Sequence, residues 1–311
     1  MTITQLEYLV AVDTYKSFAQ AAKHCFVTQP TLSMQIKKIE EELNILVFDR
    51  SKKPILTTDI GRQIIDQARI TLQEAKRIKE LIQFQKDDVK GELRIGIIPT
   101  LSPYLLPLFV TDFMNKYPDV QLVVEELVSE QIIYKLNNDL LDVGILVTPM
   151  AKKSIIEIPI FYEMFVVYLS TTHPLSQKNK IDFKDLDIND MWLLKEGHCF
   201  RNQAINICGE AIDDSQVQLR FESGSLETLC RIVEKQYGYT LLPELAMLDL
   251  DEKKLKYLRH FNAPQPIREI SLVIHRSFMK RKLIDLLKTE ILLHIPEDLK
   301  NKNRGKLIHW V

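Results

Sequence analysis

The sequence predicts an α+β multidomain protein with a helical N-terminal domain, a long linker helix and a two-lobed α/β effector domain. Three observations predict it. From Ile3 to Leu43 apolar residues recur at helical spacing in three short segments. From Asp59 to Lys86 runs a long polar stretch with one apolar side. Beyond Gly91 short apolar runs alternate with helical stretches, the pattern of an α/β domain with a largely parallel sheet.

Size and composition agree with this division. A chain of 311 residues exceeds one ordinary core, and 46% hydrophobic residues with 9 Gly and 13 Pro describe a packed globular protein. The segment Met1 to Glu7 carries no basic stretch leading into an apolar core, and no run reaches the roughly 18 apolar residues of a membrane span. A cytoplasmic protein with no membrane partner is expected, where thiols are kept reduced and a disulfide is transient or sensory. A net charge of -1 gives no bulk signal for nucleic acid. The first 62 residues hold eight Lys and Arg against seven Asp and Glu, so any DNA contact depends on local placement. No metal site or cofactor is expected. The stretch Lys300 to Lys306 is polar and basic and is expected to fray.

In the helical head, Leu6, Leu9 and Val10 mark the first segment, and Phe18, Ala21 and Ala22 the second. The third opens on Thr28 as N-cap with Pro30 in the first turn, where its missing N–H is harmless. Leu32, Ile36, Ile39 and Leu43 then form a buried stripe, which leaves Gln29, Thr31, Ser33, Lys37 and Lys38 available to a partner. Two helices joined by a short turn, the second polar at its start, fit a helix-turn-helix with a major-groove recognition helix. Gln pairs with adenine edges, and Thr or Ser meets a base or a phosphate. A small helical bundle with a solvated face fits the periodicity equally.

Ile65, Ala68, Leu72, Ala75, Ile78 and Ile82 lie on one side of the linker helix, spaced as in a coiled-coil seam. In the effector half, Leu93 to Ile98, Val120 to Glu125, Leu141 to Leu146 and Glu269 to Ile274 read as buried strands. Tyr104 to Tyr117 and Glu130 to Asn138 read as helices between them. Glu157 to Ser170 is a long apolar stretch that carries the chain into a second lobe, and Ile267 to Ile274 returns it. A ligand cleft between two lobes is the default site.

Cys199 and Cys208 stand nine positions apart. In a helix that spacing puts them roughly 13 Å apart along the axis on opposite faces, whereas a disulfide needs Cα atoms within about 7 Å. A bond between them requires unwinding. Two unrelated core thiols satisfy the same spacing. Cys25, in an Ala-rich helical stretch, and Cys230, in an apolar one, read as core thiols.

Phe18-Ala19-Gln20-Ala21-Ala22, Thr28-Gln29-Pro30-Thr31-Leu32-Ser33, Val47-Phe48-Asp49-Arg50 and Leu56-Thr57-Thr58-Asp59-Ile60-Gly61 resemble the N-terminal signature of LysR-type transcriptional regulators. The resemblance implies a winged helix-turn-helix over 1–58 and a dimerisation helix over 59–88. It implies a redox-sensing effector domain over 91–296, similar to periplasmic solute-binding proteins. Lobe I spans about 91–162 and 267–296, lobe II about 163–266, and a tail covers 297–311. Positions matching Gln29, Pro30, Thr31 and Ser33 lie in the groove, with Lys37 on the same helix, while Arg50 and Lys52 lie on the wing near the DNA backbone. Met34 replaces a frequent Arg, which removes one contact.

Glu196-Gly197-His198-Cys199, Arg201, Gln203 and Cys208, with Ile98 to Pro107, Ser225 to Leu229 and Gly238 to Pro243, resemble the hydrogen peroxide sensing branch of the family. The resemblance implies that Cys199 attacks peroxide and Cys208 resolves the sulfenic acid as a reversible disulfide. It implies a peroxide pocket of Thr100, Ser129, His198, Arg201 and Arg268. Ser129 stands where the branch often has Thr, and Arg268 matches an Arg whose charge supports the site. Promoter DNA, hydrogen peroxide, further copies of the chain in a dimer or tetramer, RNA polymerase and a thiol reductant are the implied partners. The alternative is a family member that reads a small organic metabolite in the cleft, its cysteines structural. A thiol peroxidase would also use Cys199, but the DNA-reading head argues against an enzyme.

Overall fold

Thr2, Ser17 and Thr28 each stand in extended backbone and accept an amide from the residue three positions on. These caps start α1 (Ile3–Tyr15), α2 (Phe18–His24) and α3 (Gln29–Leu43). The structure, a computed structural model, describes residues 1–83, 89–150, 152–209, 223–248, 250–276, 278 and 281–309, without the side chains of 73, 76, 77 and 79–83. Two units are present, Met1–Asp88 and Val89–Val311.

In the first unit the apolar stripes of α1 to α3 converge: Leu9, Val12, Ala21, Leu32, Ile36 and Ile39 are buried around Phe48. The third helix begins at the expected cap, with Pro30 in its first turn. A two-stranded antiparallel wing follows, β1 (Phe48–Asp49) and β2 (Leu56–Thr57), and then α4 (Asp59–Gln83). The expected end of this helix at Lys86 lies outside the described residues. Its apolar side divides in two: Ile65 and Ala68 join the head's own core, while Ile78 is 66% exposed. The side chain of Ile82 is not among those described.

The second unit opens with β3 (Gly91–Ile97), α5 (Ser102–Lys116), β4 (Val120–Glu126), α6 (Ser129–Asn137) and β5 (Val143–Thr148). The long β6 (Ile155–Leu169), β7 (Lys180–Ile181), α7 (Cys199–Cys208), α8 (Leu226–Val233) and β8 (Tyr239–Pro243) come next. The chain closes with β9 (Leu258–Phe261), β10 (Pro266–His275), α9 (Arg281–His294) and β11 (Lys306–Leu307).

Strands β4, β3 and β5 lie side by side in parallel. The sheet is not largely parallel beyond them. β10 runs antiparallel to β5 and β6 antiparallel to β10, because these two strands carry the chain out and back. Ile155 to Met164 of β6 pair with β10, and Phe165 to Leu169 pair with β8. The crossing from one half of the sheet to the other therefore falls between Met164, opposite Ile267, and Phe165, opposite Pro243.

The C-terminal stretch does not fray. Short 3-10 turns lead to β11, which pairs in parallel with Pro266 and Ile267 of β10. Gly305 allows the approach, since a Cβ there would sit 2.2 Å from Gln265 O. Arg304 donates to Tyr162 O and at 2.7 Å to Glu244 Oε1, so its charge is neutralised locally and does not repel the strand from the sheet.

Candidate functional site

Two sites emerge, one in each unit. On the head, Gln29, Pro30, Thr31, Lys37 and Lys52 are exposed, and Ser33 is half-buried. The Thr31 hydroxyl is shared with Thr28 at 2.8 Å, and Lys37 pairs loosely with Glu41 at 3.5 Å. Arg50, read from sequence as a wing contact, is tied down. It meets Glu40 Oε2 at 2.9 Å, donates to Ser33 Oγ at 3.2 Å and lies 4.8 Å above the Phe18 ring. Glu40 is the residue the sequence reading missed. Buried at the end of the recognition helix, its Oε1 accepts the amides of Val47 at 2.9 Å and Phe48 at 3.1 Å. It thereby fixes the wing to α3. It stands in the charged run Lys37 to Glu42, and the one available signal was its step of four from Ile36, which sets it beside the buried stripe.

The second site lies at the carboxyl ends of the parallel strands β3 and β4, where α/β sheets place ligands. Thr100 follows β3, and Ser129 is the first residue of α6 after β4. Across from them Cys199 begins α7, its side chain only 5% exposed. Arg268, fully buried, binds these parts together. Its Nη1 donates to Thr100 Oγ1 at 3.0 Å, its Nη2 to Thr100 O at 3.2 Å, and its Nε to Glu163 Oε1 at 2.9 Å. The guanidinium also lies 5.1 Å from the centre of the Phe200 ring, next in sequence to Cys199.

Burial pushes the Cys199 thiol above the ordinary range. The Arg268 charge, the Ser129 hydroxyl and the backbone amides of Phe200 and Cys199 pull the other way. Ser129 Oγ is close enough to act on the sulfur but makes no well-formed hydrogen bond, and it is buried. His198 caps α7 by position only. Its Nε2 is buried without a partner, and burial, then Lys195, lower its pKa against the opposing pull of Glu126, which favours the neutral imidazole. Arg201 Nη1 donates to Leu194 O at 3.1 Å and braces the loop before α7. The structure thus brings Ser129 and Arg268 to Cys199, ties Thr100 to the guanidinium of Arg268 and gives Arg201 a bracing part. Glu163, which sequence reading missed, carries no local signal, because its meaning comes only from pairing with Arg268.

Cys208 ends α7 one residue before Gly209, whose left-handed φ of 72° stops the helix. The helix puts the two sulfurs roughly 13 Å apart along its axis. A raised thiol does not by itself set Cys199 apart from Cys230 and Cys25. Burial, then Glu227 and Glu234, push Cys230 up to about 12, and burial with Glu7 raises Cys25. Among the described residues no cluster of His, Cys, Asp and Glu could hold a metal ion, and no helix is long and apolar enough to cross a membrane.

Residues 3–62 match the bacterial regulatory helix-turn-helix family of LysR type, and residues 86–291 match the LysR substrate binding domain. The chain belongs to the LysR family. A hydrogen peroxide-inducible genes activator of Haemophilus influenzae is 40% identical over 88% of this chain and 90% of that one. The Escherichia coli K12 DNA-binding transcriptional dual regulator OxyR is 36% identical over 88% and 89%. A mutant of full-length Pseudomonas aeruginosa OxyR superposes with a TM-score of 0.78 at 33% identity, over 95% of this chain and 99% of that one. A hydrogen peroxide-bound mutant of Corynebacterium glutamicum OxyR gives 0.62 at 25% identity, over 94% and 92%. Within the LysR family the chain is of the OxyR type.

Proposed function

We propose that the chain is a hydrogen peroxide-responsive, DNA-binding regulator of oxidative stress genes, switched by a reversible Cys199–Cys208 disulfide. One arrangement carries the reading: a buried thiol at the start of α7, faced by Arg268 and Ser129, with a second thiol at the end of the same helix.

Resting ionisation does not supply the reactivity, since burial works against the thiolate. Even full ionisation of an ordinary thiol gains only about tenfold near pH 7.5. The larger contribution is stabilisation of charge on the departing oxygen by fixed donors. Thr100 Oγ1 already accepts a hydrogen bond from Arg268 Nη1, so its own hydroxyl hydrogen can be donated to a bound molecule. Ser129 Oγ is buried and unpaired, and so it too can serve an incoming hydrogen-bonding molecule.

In the reaction Cys199 Sγ attacks one peroxide oxygen and the O–O bond breaks. The departing hydroxide takes up the proton given by the thiol and leaves as water, with Cys199 now a sulfenic acid. Cys208 attacks that sulfur, the S–O bond breaks, and the second hydroxide leaves as water with the Cys208 proton. Two thiols are oxidised to one disulfide and one peroxide is reduced to two waters. A thiol reductant reverses the bond.

The signal is the loss of α7, because a ten-residue helix that keeps its ends roughly 13 Å apart cannot hold the bond. Paired chains, joined along α4 through the exposed Ile78, would pass the change to two DNA-reading heads and to RNA polymerase. The site serves signalling in the cytoplasm and not turnover of peroxide. The test is Cys199→Ser: loss of the peroxide response with DNA binding intact supports the reading, and an unaltered response points to a metabolite in the cleft.

A further inference from the structure

A ten-residue helix has little stability of its own in water, so what holds α7 sets how readily it can be unwound. Phe200, Ala204 and Ile207 bury one side of it. Gln203 and Asn206, three residues apart and hence neighbours on the helix surface, hold another. Gln203 Nε2 donates to Ile308 O at 2.7 Å, and Asn206 Nδ2 donates to His309 O at 2.8 Å. Both acceptors belong to the C-terminal segment just after β11.

That same segment is fastened to β10. Lys306 N donates to Gln265 O at 2.7 Å, and Ile308 N donates to Ile267 O at 2.9 Å, one residue before Arg268. Gly305 and the Arg304–Glu244 pair fix its approach to the sheet. The tail thus spans from the strand carrying Arg268 to the helix carrying both cysteines.

We propose that residues 304–309 form a clamp that holds α7 in its reduced, helical form, and that formation of the Cys199–Cys208 bond opens it. The inference rests on the disulfide reading above. Gln203 and Asn206 lie between the two cysteines, so a bond that draws Cys208 to Cys199 unwinds the turns that present their amides to the tail. The clamp acts on the second step only. Attack on peroxide needs no unwinding, whereas resolution by Cys208 does. The clamp therefore sets how long the sulfenic acid persists and how much of the tail is exposed once the bond has formed.

The experiment uses the full chain and three proteins: wild type, Asn206→Ala and Ile308→Pro. The first variant removes a donor from an exposed helix position, and the second removes the tail's N–H to Ile267. Each lost bond should raise amide exchange at Gly209 in the reduced protein about fivefold. Conversion of the Cys199 sulfenic acid to the disulfide, followed by rapid quench and mass analysis, should speed up by a similar factor, while the rate of Cys199 oxidation stays unchanged. In oxidised wild type, exchange at Lys306 and Ile308 should rise at least about tenfold. A verified Cys199–Cys208 bond with exchange at Lys306 and Ile308 as slow as in the reduced protein overturns the clamp and leaves the sensor intact. Unchanged resolution in both variants overturns it as well. Failure of wild type to form the bond, read from mass alone, sinks the sensor reading itself.

Discussion

Arg268 lies directly opposite Glu163 in the β6–β10 pairing, both side chains fully buried, with Arg268 Nη2 2.7 Å from Glu163 Oε1. Leu245 N supports the same carboxylate at 3.2 Å, and Tyr104 OH donates nearby to Glu227 at 3.1 Å. The cation that faces Cys199 is therefore fixed from β6, β10 and the loop after β3 before any peroxide arrives. Removing only the cation strands a buried carboxylate, for which a loss of about 3–5 kcal/mol is typical. Arg268→Met should destabilise the effector domain by that amount in urea denaturation, and Glu163→Gln added to it should restore part of the loss. An Arg268→Met domain as stable as wild type would show that the pair is not structural.

Thr100→Val keeps shape and removes the hydroxyl. The rate of Cys199 oxidation should fall roughly a hundredfold, as for the loss of one fixed donor, with little change in melting temperature. Stopped-flow measurement under excess peroxide checks this. An unchanged rate would remove Thr100 from the reaction.

The pH dependence follows from the burial of Cys199. Its thiol is pushed up, so over pH 6 to 8 the thiolate fraction remains small and grows about tenfold per unit. The oxidation rate should rise with the same slope and without a plateau in that range. A plateau below pH 7 would show that Arg268 and the helix amides outweigh desolvation. Stability runs the opposite way: a raised folded-state pKa means folding disfavours the thiolate, so stability falls as pH rises above the unfolded thiol value near 8.5.

On the head, Glu40→Ala should loosen the wing, because the amides of Val47 and Phe48 lose their acceptor and Arg50 its anchor. A loss of about 2–3 kcal/mol is expected. Gln29→Ala should relax sequence preference by about 1–3 kcal/mol at one base pair, whereas Lys37→Ala should weaken binding to all sequences and lower the salt slope by about one. Binding isotherms at several salt concentrations separate the two.

Ile78→Glu places a charge on the exposed side of α4. Sedimentation should show a shift toward the monomer with the head still folded. Retention of the full assembly would move self-association elsewhere.

What could be read from the sequence was local. Thr28 and Pro30 announced the recognition helix because a cap and an N-terminal proline act within one turn, and the Cys199–Cys208 interval became a distance as soon as α7 was helical. Two contacts that the sequence did not reveal act across long separations. Glu163 meets Arg268 at a separation of 105 residues, and Gln203 meets Ile308 at the same separation, so neither partner is implied by its neighbours. Register, set by the pairing of β6 with β10 and of β10 with β11, creates both contacts. The basic composition of Lys300 to Lys306 suggested fraying because the cost of burying charge counted against order, yet Gly305 and Arg304 let the backbone pair with the sheet.

The account stands most directly on the fate of the two sulfurs. The reduced chain, treated with one equivalent of hydrogen peroxide, digested and analysed by mass spectrometry, should yield a Cys199–Cys208 linked peptide that thiol reductant reverses, alongside an altered footprint on its own promoter DNA. A changed footprint with both thiols unmodified, or a bond formed from Cys25 or Cys230 instead, would contradict it.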